Sequence, residues 1–178
     1  IRFLRGSGLK GLVSFDKNII SYNGIKIIRP FLSISKKKLI NTNKKTFGFS
    51  IDDPSNNNDK FLRSRIRKLI KYLDEEGLSF NKFYLTLKNL SKSDQVIEFY
   101  VKKNIFENSK FFLKDKKIIL NSFFFKNPDE IILRSFTQLI QYIGKKKNYP
   151  RGKKVTGVID SIKFSNKNVK LTLSGCII

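Results

Sequence analysis

Tryptophan, methionine and histidine are absent from this 178-residue sequence, and Cys176 is the only cysteine. Each absence closes off a class of chemistry. One cysteine cannot build a disulfide framework within the chain, and a reducing, cytoplasmic setting fits it. Without histidine a zinc site lacks its ligand set, and no metal site is read from the sequence. No apolar run approaches the roughly 20 residues of a membrane-spanning helix; the run IILNSFFF at 118–125 is short and interrupted. No secretory leader is read at the start, and no membrane partner is expected. The chain opens on Ile rather than Met, inside what reads as a helix, so it is read as part of a longer protein.

Acidic residues are also scarce. Fourteen Asp and Glu face 37 Lys and Arg, for a net charge of +23, which favours polyanionic partners. Much of the lysine excess is explained equally well by an AT-rich genome, because Lys, Asn, Ile and Phe dominate together. Arginine is therefore the more informative cation. Only Arg2, Arg5, Arg29, Arg63, Arg65, Arg67, Arg134 and Arg151 are present. Arginine kept against a lysine background marks positions where a planar, bidentate fork is wanted, the geometry that grips phosphate or carboxylate. With 40% hydrophobic residues and 17 Phe the chain can bury a core, so it is not of the disordered class. Its length suits one domain, or a domain and part of another.

Along the chain, IRFLRGSGLKGLVSF reads as a helix end entering a glycine-rich loop, of a kind that either cradles phosphate with backbone N–H groups or simply caps a helix. NIISYNGIKIIRPF reads as a hairpin turning at Asn23-Gly24, with Arg29 and Pro30 at its exit. Ser35 signals a helix start, and GFSI reads as a short strand. DDPSNNND has the composition of an Asx and proline turn, with Asp59 placed to cap the next helix. In that helix Leu62, Ile66, Leu69, Ile70 and Leu73 form a stripe expected to be buried, while Arg63, Arg67 and Lys71 share another face and Arg65 a third. Three arginines in the N-terminal half oppose the helix dipole unless they meet an anion or a carboxylate such as Asp52 or Asp53.

Phe83, Leu87, Leu90, Ile97 and Val101 line one face of a further long helix. KFFLKD and KKIILNSFFF suggest an aromatic hairpin around Asp115, and Ile132, Phe136, Leu139, Ile140 and Ile143 mark another core helix. KKKNYPRGKK is a basic connection in which Tyr149 and Arg151 suit an RNA backbone contact with stacking, or an exposed loop. A short helix and a strand are expected after it.

Taken in order, LRGSGLKGL, IIRPFL, DDPSNNNDKFLRSRIR and the terminal LTLSGC resemble the tRNA(Ile)-lysidine synthetase family of the PP-loop ATPase group. The resemblance implies the α/β end of a PP-loop domain (1–72), a mainly helical middle domain with a small hairpin (73–150), and the start of a small C-terminal domain (151–178). It implies a ligase that uses ATP with magnesium to activate the C2 oxygen of the wobble cytidine of tRNA(Ile). Free lysine then displaces AMP to give lysidine. Arg5, Gly6, Ser7 and Gly8 match the family's glycine-rich stretch beside the nucleotide. Arg29 with Pro30 matches its strand-exit pair, Asp53 and Asn56 its loop, and Arg63, Arg65 and Arg67 its helix. The arginines are expected to hold phosphate or tRNA, and Arg29, Asp53, Asn56, Tyr149 and Arg151 to position the loop and the RNA. A homodimer is a candidate assembly.

Departures are Ser64 in place of asparagine, Asp52 in place of glutamate and Ser174 in place of glycine. The family's SGGxDS loop and histidine–aspartate motif do not occur in the sequence. They are expected before Ile1, with the main ATP site, and without them the chain is not expected to adenylate alone. Two alternatives stand beside this reading. One is another PP-loop tRNA-modifying enzyme such as a thiolase, which one cysteine disfavours. The other is a non-catalytic basic RNA-binding module.

Overall fold

A computed structural model describes residues 2–14, 19–22, 25–31, 34–51, 58–112, 114–145, 150–165 and 170–178. These residues fall into two compact units, 1–94 and 95–178. The described residues are mostly helical, and the strands among them form three antiparallel pairs.

In the first unit a 3-10 turn at Phe3–Arg5 leads through Gly6 into the short helix α1, Leu9–Val13. Strands β1 (Ile19–Tyr22) and β2 (Ile25–Ile28) pair from Ile19 opposite Ile28 to Tyr22 opposite Ile25. That register leaves a two-residue connection, as expected of Asn23-Gly24, although the turn itself lies outside the described residues. Helix α2 (Lys36–Phe47) starts where Ser35 predicts: the Ser35 hydroxyl accepts from the Lys38 amide at 3.2 Å. None of α2 is buried, so its lysines are a solvated face.

Helix α3 (Leu62–Glu75) departs from expectation in two ways. Its N-cap is Phe61, with no side-chain cap. Asp59 instead accepts from the Lys68 ammonium at 2.6 Å, an exposed pair reaching down the helix surface. More important, the stripe is not buried. Leu69 is 50% and Ile70 55% exposed, while Ser64, at 4%, is the buried residue. The reason is that few side chains pack here. In this unit the described residues that are buried are Val13, Ser64, Leu87 and Asp94. GFSI is likewise not a strand. Phe49 and Ile51 are exposed, and the Phe49 carbonyl accepts from the Asn43 amide at 3.2 Å rather than from a neighbouring strand.

Helix α4 (Phe80–Asn108) is the long helix read from the sequence. Of its stripe, Val101 and Leu87 are buried, whereas Phe83 is half exposed. Strands β3 (Ser109–Phe112) and β4 (Lys117–Leu120) form the second hairpin around Asp115. β4 ends earlier than expected, because Asn121 caps a 3-10 turn over Ser122–Lys126 by accepting from the Phe124 amide at 3.1 Å. SFFF is thus helical, and its central Phe124 plugs the core.

Helix α5 (Asp129–Gly144) carries the expected core residues: Ile132, Phe136, Leu139 and Ile140 are buried and Ile143 packs against them. Each such side chain is worth about 1.5–3 kcal/mol when fully removed from water. α5 packs on helix α6 (Gly152–Phe164) through Val155 and Ile159. The RGKK end of the basic connection is therefore the first turn of α6 rather than loop. The chain finishes in hairpin β5–β6 (Thr172–Leu173 and Cys176–Ile177) against α5. Its two turn residues, Ser174 and Gly175, both have positive φ, 51° and 85°. That geometry explains why glycine is the better residue at position 174.

Candidate active site

The glycine-rich loop is built by local bonding. Gly6 stands at φ 65°, the left-handed region where a Cβ is unwelcome. Its amide donates to the Phe3 carbonyl at 3.0 Å and the Ser7 amide to the Arg2 carbonyl at 3.1 Å. Those two N–H groups are therefore engaged. What this loop offers an anion is the exposed Arg5 guanidinium and the Ser7 hydroxyl, over a backbone with open space at Gly6 and Gly8. Arg2 donates to the Gly11 carbonyl at 2.6 Å, and Arg29 to the Ser14 carbonyl at 3.4 Å. Two cations thus meet carbonyls at the C-terminal end of α1, where the helix dipole favours them. The structure thereby joins Arg29 of the hairpin exit to the helix that follows the glycine loop.

On α3, successive residues rotate by about 100° around the axis. Ser64 therefore lies opposite the apolar stripe centred on Leu62, Ile66, Leu69 and Leu73. Arg63, Arg67 and Lys71 flank Ser64 on one side and Arg65 and Lys68 on the other. Ser64 is the buried residue of the helix, lying among these cations. The guanidinium groups of Arg63, Arg65 and Arg67 remain exposed. Sequence reasoning treated Ser64 only as a departure; a small polar residue opposite a too-obvious stripe was the available signal.

Asp53, Asn56 and Tyr149 lie outside the described residues. Arg151 is in the other unit, where its carbonyl accepts from the Lys154 amide at 2.9 Å as α6 begins. Arg134, also in that unit, is structural. Its guanidinium is buried and donates to Glu130 at 2.7 Å and Glu98 at 3.3 Å. Cys176 is buried against the Ile140 carbonyl, and burial pushes its thiol pKa up, so it is held as an inert thiol. Among the described residues no group of His, Cys, Asp and Glu is placed to hold a metal ion. No helix among them is long and apolar enough to cross a membrane.

Comparison with known proteins falls on this region. Residues 1–73 match the PP-loop domain family. That stretch is similar to PP-loop domains over its whole length. The same chain is similar to the tRNA(Ile)-lysidine synthase of Orientia tsutsugamushi (strain Boryong), 45% identical over 71 residues, 40% of this chain and 16% of that protein. It is 34% identical to that of Bradyrhizobium diazoefficiens over 99 residues, 55% of this chain and 27% of the relative. With that of Wolbachia pipientis wMel it shares 30% identity over 99% of its own length and 41% of the relative's. The chain therefore spans less than half the length of these relatives. No solved structure matches it.

Proposed function

We propose that this chain serves a tRNA(Ile)-lysidine synthetase, a cytoplasmic ATP-dependent ligase that joins free lysine to the wobble cytidine of tRNA(Ile). The observation that carries the reading is the similarity, along nearly the whole chain, to a protein named tRNA(Ile)-lysidine synthase. The arginine side of α3 and the Arg5–Ser7 loop supply the residue chemistry. Activating a poor leaving oxygen needs phosphate held in place and developing negative charge compensated, and guanidinium forks do both. When bound, ATP would supply the activating group. Arg5 and Ser7 would hold its phosphates, and Arg63, Arg65 and Arg67 would hold phosphate or the tRNA backbone. Asp53 and Asn56 would fix the loop before α3, Arg29 would brace α1, and Tyr149 with Arg151 would meet the RNA backbone. Magnesium would accompany ATP, but the described residues offer it no ligand cluster, so no step is assigned to it.

In this reading residues 1–72 are the α/β end of the catalytic domain, 73–150 a helical middle domain and 151–178 the beginning of a C-terminal one. A homodimer is the proposed assembly. The test is to incubate the gene product that contains this chain with ATP, tRNA(Ile) and isotope-labelled lysine. Lysine-dependent release of AMP with label in the tRNA supports the proposal. RNA binding without lysine-dependent turnover would leave a basic RNA-binding module, and transfer of sulfur would leave a thiolase.

A further inference from the structure

A cavity of about 390 Å³ opens between the second half of α4 and the Ser122–Lys126 turn, within the second unit. Asn104 is 2% exposed and anchors the floor. Its amide donates toward the Phe124 carbonyl and the Ser135 hydroxyl at 3.4 and 3.3 Å. Its carbonyl oxygen accepts from the amides of Asn108 and Asn127, both at 2.9 Å. Asn127 spends its second N–H on the Phe123 carbonyl at 3.2 Å. Two side-chain amides that line the cavity are thus held by hydrogen bonds, which leave Asn108 a donor and an acceptor and Asn127 an acceptor.

Two aromatic rings, Tyr100 and Phe123, flank that floor and are 50% and 61% exposed. Lys103 and Lys126 complete the rim. Lys103 lies 3.9 Å from Glu107, which also lines the cavity, and the Lys126 ammonium rests 4.6 Å from the Phe123 ring centre. Exposed aromatic faces, fixed amides and cations around a cavity of ligand size match a flat, hydrogen-bonding ring that carries a phosphate. We propose that this cavity binds one unpaired nucleotide: the base stacks on Phe123 and Tyr100, its edge meets Asn108 and Asn127, and its phosphate meets Lys103 or Lys126. Every base has an edge with neighbouring donor and acceptor groups, and pairing occupies it. The cavity therefore selects unpaired over paired nucleotides rather than one sequence. The inference uses none of the lysidine chemistry and stands or falls separately from it.

The test uses the whole 178-residue chain at raised salt, where backbone attraction is suppressed. The probe is a short single-stranded RNA carrying one 2-aminopurine, whose fluorescence falls on stacking. Expected are quenching by the wild-type chain and roughly tenfold or greater weakening in Phe123→Ala, the scale of losing one base stack. Asn108→Ala should weaken binding in the same direction, while Lys110→Ala, a charge outside the cavity, should change it less than twofold. Circular dichroism checks that each variant is folded. Full displacement of the probe by AMP assigns the cavity to free nucleotides, and failure of AMP to compete assigns it to a strand. Equal affinity for the same RNA in a duplex, or equal effects of Phe123→Ala and Lys110→Ala, would overturn the proposal.

Discussion

Gly144 and Gly157 are both helical glycines, and the same substitution is expected to act on them with opposite sign. Gly144 closes α5 under the terminal hairpin. A Cβ there would lie 2.5 Å from the Ser174 carbonyl oxygen and 3.2 Å from the Cys176 sulfur. Carbon–oxygen contacts settle at about 3.3 Å or more, so the first distance is short by roughly 0.8 Å. The oxygen cannot swing aside freely, because it belongs to a two-residue turn closed by the Leu173–Cys176 pairing. Overpacking of this kind costs about 1–3 kcal/mol. Alanine's helix preference recovers less than its interior value of about 1 kcal/mol at the last position of a helix. Gly144→Ala should therefore destabilise by about 1–2 kcal/mol. Gly157 sits inside α6 with nothing within 4 Å of a built Cβ. Gly157→Ala should instead stabilise by about 0.5–1 kcal/mol. Thermal unfolding followed by circular dichroism reads the difference, at between about 2 and 8 °C for each kcal/mol. Shifts of the same sign in the two variants would refute the packing of the hairpin on α5.

Three further outcomes follow from the geometry. Arg65→Lys keeps the charge but loses the bidentate fork, so it should lower kcat/KM for tRNA modification by roughly ten- to a hundredfold, matching about 1.5–3 kcal/mol for a charged hydrogen bond. Lys71→Ala should cost less than threefold, and equal losses would remove the arginines from the site. Arg134→Ala takes away the partner of both Glu98 and Glu130 and should destabilise by about 3 kcal/mol, near the lower end for a broken buried ion pair because both glutamates are partly exposed; urea titration measures it. Burial raises the Cys176 pKa, so the folded chain holds that proton more tightly than the unfolded one. Stability is then fully kept below the ordinary thiol value of about 8.5 and declines as pH rises through it. Cys176→Ala should flatten that alkaline slope relative to wild type; an unchanged slope would contradict the burial.

Sequence patterning was most informative where a helix has a partner on each side of its stripe. α5 shows this: Ile132, Phe136, Leu139 and Ile140 recur at helical spacing and α6 and the terminal hairpin cover them. The same pattern misled on α3, because periodicity reports which residues are apolar and not whether anything packs on them. Its stripe is open, and the inward residue is Ser64. SFFF at 122–125 was misread for a related reason. Its aromatic content favours a strand, yet the Asn121 cap closes a 3-10 turn that puts Phe124 in the core. For the site, arginine's rarity pointed to the exposed residues of α3 and equally to Arg134, which proves to hold α4 and α5 together. Composition does not separate a guanidinium facing solvent from a buried one paired with two carboxylates. The asparagine floor was invisible for a different reason: Asn104, Asn108 and Asn127 converge only once α4 and the 3-10 turn are folded.

The central claim is that this chain works in lysidine formation, and nucleoside mass spectrometry tests it most directly. The gene product that contains the chain would be incubated with tRNA(Ile) transcript, ATP and heavy-isotope lysine, and the tRNA digested to nucleosides. The account predicts a cytidine derivative carrying the heavy lysine, formed only with ATP and stable to the mild alkali that cleaves aminoacyl esters. Unmodified cytidine at the wobble position, from a protein that nevertheless binds ATP and the tRNA, would contradict it.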